Sequence, residues 1–491
     1  MTEQLKKRTA VALAWSAMQS WGVKLFALAV FFVLARFLSP AELGLAQTVI
    51  LILAFVAILA EQGFQDAIVQ RKDLSHDDLN LPFAVSMLTA VVASAVLFFF
   101  SHQIAELLKV PGAASLIAIS AVIPPLTAAS IFEIAMRRRS MDFKTPAKAA
   151  LFAGLISCSV ALVMAVAGFG AASLIGQAIA TAVITFLVLY RKPLWTPGQR
   201  FVTSSFRSIL RYSTNAFGSR LLDFFSGKII DLIILSKFGL AGLGVYAVGS
   251  KLYLTMLQLL ASTLIDVALS ALSKLTGDVE RMRRSYLRFL FLSSFAVTPL
   301  FAMVAAFAPE ICLILFGPQW DGAQQVTRWL CFLGAVQVVQ FFNSSAIGAI
   351  GKAGQIFIMN VLKFAFGIAA LLLLPVSTIT DVAACYVVAQ LCVTPVSFYL
   401  GARATLTPLR NVMLASIPGF ACSGIAYLVV VWSRDLMFIS GSDDFLRMVL
   451  LSIVFVVTYL LAGAVVAGEK LMQEVKSILV LLTHTSGQTH A

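Results

Sequence analysis

Residues 9–61 read TAVALAWSAMQSWGVKLFALAVFFVLARFLSPAELGLAQTVILILAFVAILAE, two long apolar runs that meet at Ser39-Pro40. Lys24 is the charged side chain nearest the middle of either run. A helix needs about 20 mostly apolar residues to cross the hydrocarbon core of a bilayer, and each run has that length. The stretch predicts two membrane-spanning helices, at 9–38 and 41–61, joined by a short turn. The first run is too long for the apolar part of a cleavable signal peptide, so we expect it to be retained.

The composition of the whole chain extends this pattern. Apolar residues make up 60% and charged residues 12% of the 491 residues, and the mean hydropathy is +0.94. Soluble domains carry about 25% charged residues, so these few charges cannot cover a water-exposed surface. Disordered chains are polar rather than apolar. The composition therefore excludes a soluble globular protein and a disordered chain, and it indicates a polytopic membrane protein.

Further apolar runs of spanning length follow along the chain. Together with the first two they predict an all-α fold with about 14 transmembrane helices. Pro124-Pro125 lie inside the fourth run and predict a bend there, because proline removes a backbone hydrogen bond. The predicted spans are 9–38, 41–61, 81–101, 113–136, 147–168, 171–190, 208–236, 242–264, 286–307, 323–347, 355–375, 379–401, 412–432 and 445–466.

The distribution of Lys and Arg predicts the orientation of these helices. The chain has 36 Lys and Arg against 23 Asp and Glu. Most of the cations fall in every second connection, as in residues 137–148, 191–211 and 274–288. Connections rich in Lys and Arg are retained in the cytoplasm. An even number of spans then places both termini in the cytoplasm, with an amphipathic cytoplasmic tail at 468–491.

Short motifs recur about 200 residues apart, which indicates an internal duplication. Six predicted spans separate the two copies, so we expect two six-helix lobes related by a pseudo-two-fold axis along the membrane normal. The predicted organisation is a first lobe at 1–190, a cytoplasmic linker at 191–207, a second lobe at 208–406 and two further helices at 407–467. The matching motifs are Arg36-Phe37 with Lys237-Phe238, Leu43-Gly44 with Leu243-Gly244, and Asp66 with Asp266.

The seventh span carries a polar stripe. Arg220, Asp223, Lys228 and Asp231 fall within an arc of about 140° of the helix. A spacing of three residues predicts contact of Arg220 with Asp223 and of Lys228 with Asp231. A charge at the bilayer centre costs about 3 kcal/mol on insertion scales, so it commonly faces a wet interior. The alternative is that these pairs only neutralise the helix for insertion.

Four more cations lie inside predicted spans. Lys24 is deep in the first span. Lys251, Arg328 and Lys363 lie about two turns from span ends and alternatively extend to the interface. Carboxylates inside a membrane commonly serve as proton or sodium relays. The candidates for such ion coupling are Asp223, Asp231, Glu133 and Asp266. The alternatives are a helix-end role for Asp266 and an ion pair between Glu133 and Arg137, one turn later.

Three stretches resemble a known superfamily. Together with the arrangement of six, six and two helices, they are similar to the multidrug/oligosaccharidyl-lipid/polysaccharide flippase superfamily, and within it to the Wzx-like flippases of the polysaccharide-transport branch. The resemblance implies alternating-access movement of polyprenyl-pyrophosphate-linked oligosaccharide from the inner to the outer leaflet of the bacterial cytoplasmic (inner) membrane. It also implies a role in exopolysaccharide or lipopolysaccharide (O-antigen) biosynthesis, with a polysaccharide polymerase and glycosyltransferases as partners. The stretches are Leu34-Ala-Arg-Phe-Leu-Ser-Pro-Ala-Glu-Leu-Gly-Leu45, Glu61-Gln-Gly-Phe-Gln-Asp-Ala-Ile-Val-Gln-Arg71 and Leu315-Phe-Gly-Pro-Gln-Trp320.

For such a substrate the cations inside the spans predict a pyrophosphate site. Arg220 is the favoured contact, because a guanidinium binds phosphate oxygens in a bidentate fork. We expect Lys24 and the seventh-span stripe to face each other across the interface between the lobes. The candidate substrate-binding residues are Lys24, Arg220, Lys228, Lys251 and Lys363.

Two other functions compete with this one. A cation-coupled multidrug exporter of the MATE type is the alternative in the same fold, but cationic drugs suit carboxylates better than the buried cations present here. A membrane polymerase or acyltransferase is disfavoured by short outer connections and the lack of a histidine inside a span. The chain also lacks the nucleotide-binding sequence GxxxxGK[ST]. We therefore expect a protein that is not an enzyme, with no metal or other cofactor and no nucleic-acid partner.

Overall fold

The computed structural model describes residues 21–22, 24–70, 74–436 and 444–487, and every regular element within these residues is helical. For some helical residues in these ranges, Asp266 among them, only the backbone is described. The helices are α1 (24–37), α2 (Pro40–Glu61), α3 (Phe64–Gln70), α4 (Asn80–Phe99), α5 (Ser101–Leu107), α6 (Ala114–Ser120), α7 (Ile123–Arg139), α8 (Lys144–Val166), α9 (Ala172–Tyr190), α10 (Thr203–Ser273), α11 (Val279–Ala306), α12 (Ala308–Phe316), α13 (Ala323–Ala349), α14 (Ala353–Leu373), α15 (Ile379–Ala404), α16 (Leu409–Leu436) and α17 (Asp444–Gly487).

The predicted all-α fold is confirmed, and each span predicted from residue 41 onward coincides with one of these helices, a helix pair or part of a helix. Within the described residues, 11 helices are long and apolar enough to cross a membrane. The number is 12 if Pro111–Ser120 and Ile123–Arg139, bent by 43°, form one span. This bend lies where Pro124-Pro125 predict it, with the prolines in the first turn of α7. The total of 14 stays a prediction, because residues 1–20 and 23 lie outside the described part.

α10 extends through two predicted spans and is broken between them. Gly239 has φ 67° and ψ −163°, a conformation that glycine adopts without steric cost. The segment Phe217–Leu260 has 44 residues, or about 66 Å of helix at a rise of about 1.5 Å per residue. That length is about twice the thickness of the hydrocarbon core, so the segment is long enough for two crossings that separate at Gly239.

Large apolar side chains are exposed along many of the helices. Phe99 is 73%, Leu373 82% and Val465 87% exposed. In water, extensive exposed apolar surface leads to association, whereas in a bilayer the same side chains contact lipid tails. The helices and their apolar exteriors together define a multi-pass membrane protein.

Packing divides the chain into two compact units, of which the first comprises Met1–Lys251 and Leu315–Asp321. A cluster inside this unit joins α3, α7 and the start of α10 through Phe64, Phe132 and Ile209. Trp195, from the connection between α9 and α10, completes the cluster; it is 1% exposed, and its indole donates to the carbonyl of His76 at 3.1 Å. This buried indole anchors the connection that the sequence predicts to be a cytoplasmic linker.

The motif Leu-Gly that recurs about 200 residues apart forms a close helix crossing inside the first unit. A Cβ atom at Gly44 would overlap the carbonyl of Leu240, and one at Gly244 would overlap the carbonyl of Pro40. The contacts are reciprocal, because each glycine faces the residue four positions before the other. Only glycine permits this backbone approach, so the repeated motif is explained by packing.

Two stretches that carry the family resemblance also meet in the first unit. The side chains of Gln319 and Trp320 both donate to the carbonyl of Ala35 at 2.9 Å. Phe316 packs edge-on against Phe32, with ring centroids 5.3 Å apart. The motif at 315–320 therefore closes over the end of α1, immediately before the turn into α2.

The second unit comprises Leu252–Ile314 and Gly322–Ala491. Its main apolar cluster brings α11, α13, α15 and α16 together and includes Tyr286, Phe342 and Phe398. The Tyr286 hydroxyl donates to Oδ1 of Asn343 at 2.7 Å, and the Asn343 amide donates to the Ser397 hydroxyl at 3.1 Å. This buried network satisfies the polar atoms that the apolar cluster encloses.

Candidate functional site

Arg220 of α10 lies between two carboxylates contributed by other helices. Its guanidinium donates to Oε1 of Glu61, the last residue of α2, and to Oδ2 of Asp66 in α3 at 2.9 Å. The side chain of Glu61 is 11% exposed, that of Arg220 34% and that of Asp66 42%. One guanidinium thus pairs with a buried and a half-exposed carboxylate, and it holds α10 to the junction of α2 and α3.

The predicted stripe on α10 is formed in part. Lys228 pairs with Asp231 at 2.9 Å, so this contact is confirmed. The predicted contact of Arg220 with Asp223 is wrong, because the guanidinium bonds Glu61 and Asp66 on neighbouring helices instead. Asp223 is exposed and makes no ion pair or hydrogen bond within the described structure.

Lys251 lies near the end of the first unit and has an aromatic partner. Its ammonium is 4.5 Å from the centroid of the Phe31 ring in α1, within the range of a cation–π interaction. Lys228 is close enough for the two ammonium charges to repel each other. Among the described residues Lys251 makes no ion pair with a carboxylate.

The other two predicted cations lie in different parts of the chain. Lys24, at the start of the described part of α1, is half-buried and belongs to the first unit. Lys363 of α14 belongs to the second unit and donates to Oε1 of Gln340 at 2.8 Å. The Gln390 amide donates to the carbonyl of Lys363 at 3.3 Å. One amide side chain therefore binds the ammonium of Lys363, and another binds its backbone carbonyl.

Glu133 belongs to a buried ion-pair network rather than to the stripe on α10. Arg137 pairs with Glu133 at 2.9 Å and with Asp142 at 2.9 Å, and the backbone N–H of Leu194 donates to Glu133 Oε1 at 2.9 Å. The alternative of an ion pair between Glu133 and Arg137 is thus confirmed. The fourth candidate carboxylate, Asp266, has no described side chain.

Asp142 lies in the connection between α7 and α8. Burial acts to raise the pKa of Asp142, but hydrogen bonds from Thr145 and from Arg137 outweigh it, and the net effect is a lowered pKa. The carboxylate is therefore held in its charged form, in which it pairs with Arg137. Within the described part of the chain, no group of three or more His, Cys, Asp or Glu side chains could hold a metal ion.

Glu61 and Phe31, the partners of two predicted cations, were not predicted from the sequence. Glu61 ends an apolar run, so the sequence pattern indicates only that a span ends there. It does not indicate that Glu61 pairs with Arg220, which is 159 positions away. Phe31 is one of 38 phenylalanines, and nothing in its local pattern distinguishes it. The available signal for Glu61 was its place at the start of the stretch Glu61–Arg71, which also contains Asp66.

These features define a class: a multi-pass helical membrane protein with charged groups inside its spans, several of which are held in ion pairs between or within helices. The profile of a family described as "Polysaccharide biosynthesis protein" matches residues 33–325, more than half of the chain. The protein belongs to this family.

Individual relatives carry transport and biosynthesis names. The chain is 25% identical over 329 residues to the succinoglycan biosynthesis transport protein ExoT of Rhizobium meliloti (strain 1021), an alignment that spans 66% of each chain, just under two thirds. It is 22% identical over 373 residues to the lipopolysaccharide biosynthesis protein WzxC of Escherichia coli (strain K12), covering 73% of each. Among solved structures, the lipid II flippase MurJ in an inward closed conformation matches with a TM-score of 0.75 at 14% identity, covering 94% of this chain and 100% of that one. This similarity establishes the fold.

Proposed function

We propose that the protein is a flippase that moves polyprenyl-pyrophosphate-linked oligosaccharide repeat units from the inner to the outer leaflet of the bacterial cytoplasmic membrane, for export of an exopolysaccharide or O-antigen-type polysaccharide. The observation that carries the proposal is membership of the polysaccharide biosynthesis protein family. Two relatives named for succinoglycan transport and lipopolysaccharide biosynthesis support it, as does a fold shared with a lipid II flippase.

The charges inside the spans suit an anionic head group. A pyrophosphate loses its hydration when it crosses the bilayer, and fixed cations replace that water. We assign the leading role to Lys251, because a cation–π contact leaves its ammonium free of any carboxylate in the described residues. Lys24, Lys228 and Lys363 are the further candidates. Arg220 binds the substrate only if the pyrophosphate displaces a carboxylate from its guanidinium.

The ion pairs suggest how transport is coupled. Asp231 and Asp223 are the proposed ion-coupling residues, because they lie on the same helix as the cations. Protonation of Asp231 would release Lys228, which is 2.9 Å away, to interact with the substrate. Glu133 is a weaker candidate because it is held by Arg137, and Asp266 is retained from its position in the chain. We propose alternating access between two lobes as the overall cycle.

The cellular setting is proposed on the same basis. The cation distribution supports cytoplasmic termini, and the family resemblance supports a location in the inner membrane. A polysaccharide polymerase and glycosyltransferases are the proposed partners, because a repeat unit must be assembled before transport and polymerised after it. The protein itself is proposed to act without a cofactor.

The test is the exposure of a fluorescent polyprenyl-pyrophosphate oligosaccharide in the far leaflet of proteoliposomes. We compare the wild-type protein with Lys251→Gln and Lys24→Gln, and with Lys352→Gln as a matched control, since Lys352 is exposed in a connection. Removal of one phosphate-binding cation is expected to lower the rate at least about tenfold, which corresponds to about 1.4 kcal/mol. The control should retain the wild-type rate.

Two results would contradict different parts of the proposal, the first its function and the second its binding site. If wild-type protein leaves the lipid in its original leaflet but extrudes organic cations along an ion gradient, the protein is a multidrug exporter. If wild-type protein moves the lipid and both lysine variants match it, the function stands and the assignment of the site is wrong. Folded incorporation of each variant is checked by size-exclusion chromatography before reconstitution.

A further inference from the structure

A basic groove opens in the second unit between the first three turns of α11 and the start of α16. Its volume is about 780 Å³, within the range of sites that bind small molecules. None of the substrate-binding candidates lines it, so it is separate from the proposed transport site. The lining residues are Leu275, Arg281, Arg284, Ser285, Leu287, Arg288, Phe291, Asn411, Leu414 and Ala415.

The groove lies at the N-terminal end of a longer contact between α11 and α16, which continues to Ala302, Ala306, Ala426 and Val430. A Cβ atom at Gly419 would overlap the backbone of Ser294, and the Thr298 hydroxyl donates to the carbonyl of Gly419 at 3.1 Å. Nearer their N-termini the two helices leave the space between them unfilled. The groove is therefore an opening between two helices that pack tightly against each other further along the chain, at Ser294 and Gly419.

Two of the three arginines that line the groove, Arg281 and Arg284, are only weakly compensated by carboxylates. Arg281 pairs with Asp278 at 3.0 Å, and Arg284 lies 3.9 Å from Glu280. Both carboxylates are well exposed, at 47% and 65%, and exposed ion pairs contribute about 0–1 kcal/mol. Cations in the first turns of a helix are also disfavoured by its dipole. An additional anion at this end would relieve both effects.

The polarity of the groove changes along α11. Arg281, Arg284 and Arg288 lie nearer the helix start, and Phe291 lies ten residues beyond Arg281, about 15 Å along the axis. Leu414 on α16 is 52% exposed and adds apolar surface. The polar lining other than arginine is one serine and one asparagine, too few hydroxyl and amide groups to recognise a glycan. This gradient matches a phospholipid, with a phosphate at one end and acyl chains at the other.

We propose that this groove binds the anionic head group of a membrane phospholipid, with its phosphate held by Arg281, Arg284 and Arg288 and its acyl chains along Phe291 and Leu414. Basic pockets between transmembrane helices on the cytoplasmic side are a recognised form of lipid site. The cation distribution predicts that residues 274–288 lie on that side. The occupant is a resident lipid and not the transported substrate.

The experiment measures binding of phosphatidylglycerol to the purified full-length protein by native mass spectrometry, with zwitterionic phosphatidylcholine as the reference lipid. The triple variant Arg281→Gln, Arg284→Gln, Arg288→Gln is expected to weaken phosphatidylglycerol binding about 100-fold, since each arginine that is removed weakens it about fivefold. The matched control, Lys274→Gln, Arg283→Gln, Arg403→Gln, removes the same charge from residues outside the groove. It should keep wild-type affinity.

Two further measurements distinguish the occupants. Leu414→Asn should weaken binding of long-chain phosphatidylglycerol and leave its chain-free head group, glycerophosphate, unaffected. Inorganic phosphate at millimolar concentration should not displace the lipid. The proposal is overturned if the wild-type protein does not prefer phosphatidylglycerol to phosphatidylcholine, if the two triple variants behave alike, or if polyprenyl pyrophosphate at equimolar concentration displaces the phospholipid. The last result would assign the groove to the substrate carrier.

Discussion

The ion pairs of Arg220 predict an uneven response to loss of each partner. Arg220→Gln removes the cation that hydrogen-bonds the carboxylate of Glu61, which is only 11% exposed, and leaves the more distant charge of Arg138 as its compensation. Breaking a buried ion pair by removing one partner costs about 3–5 kcal/mol. Arg220 itself is 34% exposed and water reaches the site, so we expect a loss of about 3 kcal/mol in the free energy of unfolding.

The two carboxylates should differ. Asp66 is 42% exposed, and an ion pair of that kind contributes about 0–1 kcal/mol, so Asp66→Asn should cost less than about 1 kcal/mol. Glu61→Gln removes the buried charge but retains a hydrogen-bond acceptor for Arg220. We expect a loss of about 1.5–2 kcal/mol, the value of a hydrogen bond to a charged group.

The double variant Arg220→Gln, Glu61→Gln carries the decisive information. It removes both charges of the pair. Its loss of stability should therefore be smaller than the sum of the two single losses, by a coupling free energy of about 2 kcal/mol. The assay is reversible unfolding of the full-length protein in mixed micelles with increasing SDS, followed by tryptophan fluorescence. Equal losses for Arg220→Gln and Asp66→Asn, or additive losses in the double variant, would refute the burial-based reasoning.

Two more predictions follow from local geometry. Gly44→Ala should lower the free energy of unfolding by about 1–3 kcal/mol in the same assay, since its Cβ meets the backbone of Leu240. The control Gly227→Ala has nothing within 4 Å of its Cβ and should be neutral or more stable. A similar loss in both variants would contradict the close crossing. The pKa of Asp142 is lowered on folding, so its stabilising contribution is present above about pH 4 and is lost as the pH falls through the folded pKa. Asp142→Asn should flatten that part of the curve of stability against pH. An unchanged curve would contradict this assignment.

Apolar run length was enough to predict the helices because a bilayer imposes it. Spans such as 41–61 and 171–190 coincide with α2 and α9 within a residue or two, and Pro124-Pro125 indicated the bend before α7. The repeated Leu-Gly motif also predicted a pair of equivalent positions. It did not predict that Gly44 and Gly244 would contact each other, since a repeat specifies equivalence and not distance.

The partners of charged residues were harder to predict, because a helical pattern reveals only neighbours three or four positions apart. The contact of Lys228 with Asp231 has that spacing and was found. The same spacing predicted that Arg220 contacts Asp223, and this prediction is wrong. Glu61 on another helix is more deeply buried than Asp223, so an ion pair with Arg220 stabilises its charge more.

This difference in burial also reorders the candidate site. In our proposal, Arg220 is already paired with two carboxylates and binds a phosphate only by breaking an ion pair, whereas the ammonium of Lys251 over the Phe31 ring has no ion pair to break within the described residues. Arg220 was the favoured phosphate contact in the sequence because a guanidinium binds in a bidentate manner. In our proposal its function now depends on exchange of a carboxylate for the phosphate. Lys251, an ordinary candidate in the sequence, is the residue that we propose for the leading role, because its ammonium contacts the Phe31 ring and makes no ion pair with a carboxylate within the described residues. If transport requires both residues, Lys251 should determine affinity for the pyrophosphate and Arg220 the transition between states. Steady-state rates over a range of lipid concentrations would separate the two roles.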